Sequence, residues 1–151
     1  MGAKKMNSSK SLVVMLVEDD PGDQKLIKSA LAMQQENTEL HIAASAEEAL
    51  GYLDDIAKLD ADSPWPDLIL LDLNMPGMGG KEFLRHMKSH EDLCSIPVVV
   101  LTTSDSETDV RECYESHAAG YIQKPTSATE LKRILKETTR YWLTNGSLAK
   151  A

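Results

Sequence analysis

The stretch Leu68-Ile69-Leu70-Leu71-Asp72-Leu73-Asn74-Met75-Pro76 decides how this chain is read. Its four consecutive large apolar residues cannot alternate between a wet face and a dry one. The pattern therefore predicts a central parallel strand covered on both faces. Asp72 closes the run, and Pro76, which cannot donate to a ladder, ends the extended segment. In open α/β sheets, ligands bind just beyond the carboxyl ends of the strands. That position makes Asp72 a candidate for chemistry. An Asp after a strand also serves as a plain turn residue, so the other strand ends must decide.

Outward from this strand, the same signal recurs with helices between. Leu12–Val17 is a second continuous apolar run and leads straight into Glu18-Asp19-Asp20. Asp20 is a good N-cap, Pro21 suits a first helical position, and Asp23 lies in the first turn. Leu26, Ile27, Ala30 and Leu31 then form one apolar stripe. Glu39–Ala43 alternates and is short, the mark of an edge strand. Ser45-Ala46-Glu47-Glu48 is a capping box for a helix carrying Ala49, Leu50, Leu53 and Ile56. That helix is expected to give way, from Asp54 on, to a long connection ending at Pro64-Trp65-Pro66. Gly77, Gly79 and Gly80 predict a flexible turn before a helix with Phe83, Leu84 and Met87 inward. Pro97–Leu101 is a fourth strand, ending in Thr102-Thr103-Ser104, and Ser106–Asp109 starts a fourth helix. Ala119–Gln123 is a thinner fifth strand, ending in Lys124-Pro125. Ser127–Glu130 caps a last helix with Leu131, Ile134, Leu135, Thr138 and Trp142 on one stripe. Strand and helix signals alternate five times, which predicts an α/β fold: one doubly wound parallel sheet with helices on both faces. Residues 1–10 read as a disordered lead, 11–143 as the single domain, and 144–151 as a flexible tail.

Composition narrows the function. The 151 residues are 42% apolar and 26% charged, with a formal net charge of −8. An acidic chain argues against a nucleic-acid surface, which needs a basic patch. No apolar run approaches the roughly 20 residues of a membrane span, and the N-terminus shows no signal-peptide pattern, so a cytoplasmic protein without a membrane partner is expected. Cys94 and Cys113 form neither a CxxC pair nor a metal spacing, and their reading as incidental thiols also suits a reducing compartment. Glu47-Glu48 and Asp54-Asp55 read as solvated helix faces. His86 and His90 stand four apart, but no third ligand accompanies them, so they too read as a solvated face.

In a parallel sheet all the carboxyl ends lie along one edge. That edge gathers Glu18, Asp19 and Asp72 with the Thr102 hydroxyl and the Lys124 ammonium. Two like charges about 4 Å apart repel by about 4 kcal/mol at an effective dielectric near 20. Lys124 offsets part of this. A hard divalent cation, with Mg²⁺ preferring oxygen ligands, would offset the rest. With no His or Cys at these ends, zinc is not expected. A carboxylate in such a place is able to attack phosphorus and form an acyl phosphate. The phosphoryl oxygens would then find a cation, an ammonium and a hydroxyl to hand.

These residues, as Val17-Glu18-Asp19, Leu70 through Pro76, Val100-Leu101-Thr102 and Tyr121 through Pro125, resemble the response-regulator receiver domains of two-component signalling. The resemblance runs in order from about Leu12 to Leu143. It implies the flavodoxin-like strand order 2-1-3-4-5, with Asp72 as phosphoacceptor from a sensor histidine kinase. It implies Mg²⁺ on Asp19, Asp72 and the Asn74 carbonyl, with Glu18 acting through water. It further implies Thr102 and Lys124 as phosphoryl partners, Tyr121 as an aromatic switch, and a cis Lys124-Pro125 bond. More narrowly, Leu16–Asp19, Pro97–Ser104 and Tyr141-Trp142-Leu143 are similar to the small single-domain regulators paired with bacterial phytochrome kinases. The resemblance implies a non-enzymatic switch that assists its own phosphorylation and dephosphorylation. Its output surface would be the fourth helix, fifth strand and fifth helix, acting on a downstream protein or a phosphorelay partner. Tyr141 and Trp142 are candidate interface residues, for a homodimer among other partners.

Two positions depart from the family: Gly79, where Asp is common, and Thr103, where Ala or Gly is common. Asn74, Thr103 and Ser104 are thereby expected to govern access and phosphoryl lifetime. Two other readings stand beside this one. One is a receiver-like scaffold that works without phosphate, against which the intact acid set argues. The other is a haloacid-dehalogenase-type phosphatase. That family carries a second Asp two residues after the nucleophile, where this chain has Asn74.

Overall fold

The computed structural model describes residues 12–32, 38–58 and 65–142. The expected lead at 1–10 and tail at 144–151 lie outside them. Five strands, β1 (Leu12–Val17), β2 (Thr38–Ala43), β3 (Leu68–Leu71), β4 (Val98–Thr102) and β5 (Gly120–Gln123), alternate with five helices. The helices are α1 (Pro21–Ala32), α2 (Ala46–Lys58), α3 (Gly80–Ser89), α4 (Glu107–Glu115) and α5 (Ala128–Arg140). All strand pairs are parallel, in the order β2-β1-β3-β4-β5.

The continuous apolar runs have a direct cause. Successive side chains point to opposite faces of a strand, and here both faces are dry. Leu12, Val14 and Leu16 of β1, with Leu68 and Leu70 of β3, pack against Ile27, Ala30 and Leu31 of α1 and Leu131 and Leu135 of α5. Their neighbours Met15, Val17, Ile69 and Leu71 pack on the other face. There they meet Ala49, Leu50 and Leu53 of α2, Phe83, Leu84 and Met87 of α3, and Cys113 of α4. Each fully buried Leu or Phe contributes about 1.5–3 kcal/mol, so the three central strands hold the sheet.

Register carries this order to the carboxyl edge. Val17 pairs with Leu71 and Leu71 with Val100. The ladder continues past the strands: Asp72 N–H donates to Val17 O at 3.1 Å, Glu18 N–H to Ala43 O at 3.0 Å, and Lys124 N–H to Thr102 O at 2.7 Å. Backbone hydrogen bonds therefore set the level of Glu18, Asp72 and Lys124 along this edge. At the opposite edge the buried Asp67 accepts from Val13 N–H at 2.9 Å and returns its own N–H to Val13 O at 2.7 Å. It pins β1 beside the start of β3, a role its sequence position did not reveal.

Several local expectations are corrected. The second helix does not end near Asp54. It runs to Lys58, because Leu53 and Ile56 are both buried and continue its stripe. The stripe of α5 is rotated from its predicted place. Leu131, Leu135 and Thr139 are the buried residues, while Ile134 and Thr138 lie at its margin. Among the described residues no peptide bond is cis, so Lys124-Pro125 is trans, the isomer that an X–Pro bond favours by about 0.5–1 kcal/mol. Glu47 is more than a solvated helix face, for its carboxylate accepts from Met78 N–H at 3.1 Å. It thereby holds the turn at Gly77, whose φ of 78° suits glycine. Glu48 closes the capping box, receiving Ala44 N–H while its own N–H donates to Ser45 Oγ at 3.0 Å.

The glycine turn is also less free than expected. A Cβ on Gly80 would fall 2.4 Å from Asp72 O and 2.7 Å from Leu73 Cα. The first turn of α3 thus lies directly against the backbone that carries Asp72. Gly80→Ala is expected to lower unfolding stability by about 1–3 kcal/mol, the usual cost of overpacking, measured by urea denaturation.

Candidate functional site

The carboxyl edge brings Glu18, Asp19 and Asp72 together, with one oxygen from each lying within 4.8 Å of the others. Glu18 is 1% and Asp72 7% exposed, and Asp19 is the most open of the three. Such a cluster has to be compensated, and the compensation is uneven.

Lys124 reaches Glu18 Oε1 at 2.6 Å and Asp23 Oδ2 at 2.7 Å, with its own side chain only 7% exposed. Burial pulls its pKa down, but the hydrogen bonds to Asp23 and Glu18 and the nearby Asp72 charge outweigh this and leave it above the ordinary lysine value. Glu18 is pushed up by burial and by the Asp72 charge, which Lys124 only partly offsets. Its second oxygen accepts from Asp20 N–H at 3.2 Å. Asp72 accepts no hydrogen bond on its carboxylate among the described residues. Lys124 was expected to offset part of the charge of the cluster and to hold a phosphoryl group. Here it bonds to Glu18 and to Asp23, which the sequence presented only as a first-turn acid of α1.

The remaining candidate residues, Tyr141 and Trp142 apart, stand at or beyond the ends of β3 and β4 and on β5. Thr102 ends β4 fully buried, and Asn74 Nδ2 donates to its Oγ1 at 3.4 Å. Thr103 is exposed. Ser104 is a junction: its N–H lies 3.5 Å from Thr102 Oγ1, its Oγ donates to Asp109 Oδ2 at 2.5 Å, and its carbonyl accepts from the Tyr121 hydroxyl at 3.0 Å. Burial raises the Tyr121 pKa, against the lowering effect of that hydrogen bond. Asp109 is held in turn by Lys81 Nζ at 2.5 Å, and Lys81 also reaches Glu112 at 2.7 Å. Sequence reasoning passed over Lys81 and Glu112, and read Asp109 only as part of a helix start. The pair Asp109 and Glu112, three apart on the first turns of α4, was the one available signal for a cation-binding face. Tyr141 and Trp142 lie beyond α5 with their rings edge to face at 5.2 Å, away from the acid cluster.

The cluster meets the chemical requirements of a hard divalent cation. Its donors are all oxygens, two of the three acids are buried, and only one is neutralised by an ammonium. Glu18, Asp19 and Asp72 are the residues able to hold such an ion.

A five-stranded parallel sheet in this order, with an acid cluster and a buried Lys–Glu pair at its carboxyl edge, defines a class of phosphate-handling signalling domain. The response regulator receiver domain matches residues 14–136, and the chain belongs to that family. It is 37% identical over 139 residues to the response regulator Rcp1 of Synechocystis, covering 92% of this chain and 94% of that protein. Among solved structures, the phosphorylated cyanobacterial phytochrome response regulator RcpA is 38% identical with a TM-score of 0.84, covering 92% of this chain and 99% of that one. The Mn²⁺-bound form of Rcp1 is 36% identical with a TM-score of 0.77, covering 91% and 98% respectively.

Two outcomes test this geometry. Lys124→Met leaves the buried Glu18 carboxylate without its cation, and stability should fall by about 3 kcal/mol. Adding Glu18→Gln should recover most of the loss in thermal melts. Lys81 holds the Asp109 pKa below its ordinary value of 3.8, with Ser104 assisting. Asp109 is partly solvated, so its contribution is below about 1 kcal/mol. A depressed carboxyl pKa stabilises above the unfolded value and is lost as pH falls through the folded one. The stability gap between wild type and Asp109→Asn should therefore be full at pH 7 and close as the pH is lowered below about 4, in urea titrations.

Proposed function

We propose that this protein is a phosphoacceptor switch: Asp72 takes a phosphoryl group from a histidine kinase in a Mg²⁺-dependent reaction. The observation that carries this reading is the unequal treatment of the acids. Glu18 is occupied by Lys124 and the Asp20 N–H, while the Asp72 carboxylate carries no hydrogen bond among the described residues and stays available as a nucleophile. A carboxylate oxygen of Asp72 attacks phosphorus and forms an acyl phosphate. The phosphorus–nitrogen bond of the phosphohistidine breaks, and the imidazole nitrogen keeps the electron pair and takes up a proton from solvent. Glu18, Asp19, Asp72 and the Asn74 carbonyl would hold Mg²⁺, which would supply the positive charge that the crowded acids and the arriving phosphoryl group require.

The chain's own residues do the rest. Lys124 moves from Asp23 toward a phosphoryl oxygen, and Thr102 turns its hydroxyl to another. Asn74 has no carboxylate with which to activate a hydrolytic water, so the acyl phosphate persists, unlike that of a phosphatase with Asp at this place. Thr103 and Ser104 border the same opening and tune access to it. Tyr121 then leaves the Ser104 carbonyl and turns inward, so the α4–β5–α5 surface changes shape. A groove of about 520 Å³ on that surface is lined by Tyr114, Tyr121, Ile122, Thr138, Tyr141 and Trp142 among others. It is the proposed face for a downstream protein, a phosphorelay partner or a second copy of the chain. The relatives described for phytochrome signalling favour a phytochrome-type kinase as donor. No described helix is long and apolar enough to cross a membrane.

Incubation with acetyl phosphate and Mg²⁺, followed by intact-mass measurement, tests this reading. One phosphoryl group per chain is expected in wild type, and none in Asp72→Asn or after chelation of the metal. Absence of any mass gain in wild type would favour a phosphate-independent scaffold, and rapid turnover of phosphomonoesters would favour a phosphatase.

A further inference from the structure

Ser104 lies two residues past Thr102, in the loop that must move if Thr102 is to reach a phosphoryl group. Its oxygens and N–H face three structures at once: Thr102 Oγ1, Asp109 Oδ2 and the Tyr121 hydroxyl. Ser106 N–H also donates to Ser104 Oγ at 3.2 Å, so the loop is folded around this one side chain. Asp109 is fixed from the far side by Lys81, which simultaneously holds Glu112. Lys81 does not belong to α4. It is the second residue of α3, next to Gly80, whose Cα is packed against the Asp72–Leu73 backbone. A cation anchored beside the Asp72 loop therefore grips the first turns of the neighbouring helix and, through Asp109, the switch loop itself.

We propose that Lys81 is a positioning residue that latches loop 103–106 in its resting place. Its hold on Asp109, and Asp109's hold on Ser104, oppose the movement that brings Thr102 to Asp72 and frees Tyr121. The latch acts on the phosphoryl switch described above and rests on that reading. It sets how much of the protein switches for a given degree of phosphorylation. Each link is solvent-accessible enough to break without unfolding: the Lys81 side chain is 32% and that of Asp109 22% exposed. A pair of this kind has the modest strength that suits a poised equilibrium.

The direction of the effect separates a latch from simple electrostatics. Removing a cation near an anion site ordinarily weakens anion binding. Removing a latch strengthens it, because the competent loop position becomes easier to reach. Beryllium fluoride with Mg²⁺, a phosphoryl mimic, is titrated into the full chain by calorimetry. Lys81→Met and Asp109→Asn are each expected to bind it about 2–5-fold more tightly than wild type, the equivalent of one exposed ion pair. Lys81→Arg should return to the wild-type value. In a Ser104→Ala background, which cuts the link, Lys81→Met should change the affinity little. Unchanged or weaker binding by folded Lys81→Met and Asp109→Asn overturns the latch, as does full tightening in the Ser104→Ala background. Failure of wild type itself to bind the mimic removes the switch reading and the latch together. Binding by wild type with no response to Lys81→Met removes the latch alone.

Discussion

Everything at the carboxyl edge of this sheet depends on one nearly dry ion pair, Lys124 with Glu18. Three acids converge there because β1 and β3 are neighbours in register and each ends in a carboxylate. Without a cation the arrangement would be self-repelling. The pair hydrogen-bonds Glu18 directly, and Lys124 acts on Asp72 only through its charge, since the ammonium turns toward Glu18 and Asp23. The charge of Asp72 is left in place. The charge at this edge is incompletely neutralised by side chains, because the Lys124 ammonium is hydrogen-bonded to Glu18 and Asp23 rather than to Asp72.

The parts legible in the sequence were those written in strong local chemistry. The apolar runs at Leu12–Val17, Leu68–Leu71 and Val98–Leu101 suit doubly covered strands, and strands placed in parallel bring their carboxyl ends to one edge. Capping residues Asp20, Ser45, Ser106 and Ser127 marked helix starts that the structure keeps. Illegible were contacts between residues far apart in sequence with no distinctive neighbours. Asp23 is an ordinary first-turn acid until Lys124, a hundred residues later, comes beside it. Asp67 and Glu47 each hold a backbone N–H on another segment, and Lys81 spans two helices. Gly80 looked like slack, whereas the constraint on it comes from the backbone of Asp72, which no local pattern encodes. The rotation of α5 was missed for a related reason. Its border residues Ile134 and Thr138 are apolar or small enough to imitate a core stripe.

The two edges of the sheet have different characters. Asp67 exchanges two hydrogen bonds with Val13 and closes the amino edge in a fixed geometry. At the carboxyl edge, hydrogen bonds run through side chains with alternative partners: Ser104, Thr102, Asn74 and Lys124. A rigid floor under an adjustable rim is an effective way to move a few groups by small distances while the packed layers between them stay as they are.

The strands also differ in how well they are covered. Every residue of β1, β3 and β4 is buried, whereas β5 is four residues long, half-covered, and lies at the sheet's margin. Local opening costs least where apolar cover is thinnest. Tyr121 sits on that strand, so the aromatic ring is mounted on the portion of the molecule able to fray and re-form without disturbing the interior. Amide hydrogens of β5 would exchange with solvent well before those of β3. The margin of the sheet is in this sense a separate thermodynamic compartment, able to respond quickly while the fold's own lifetime is set elsewhere.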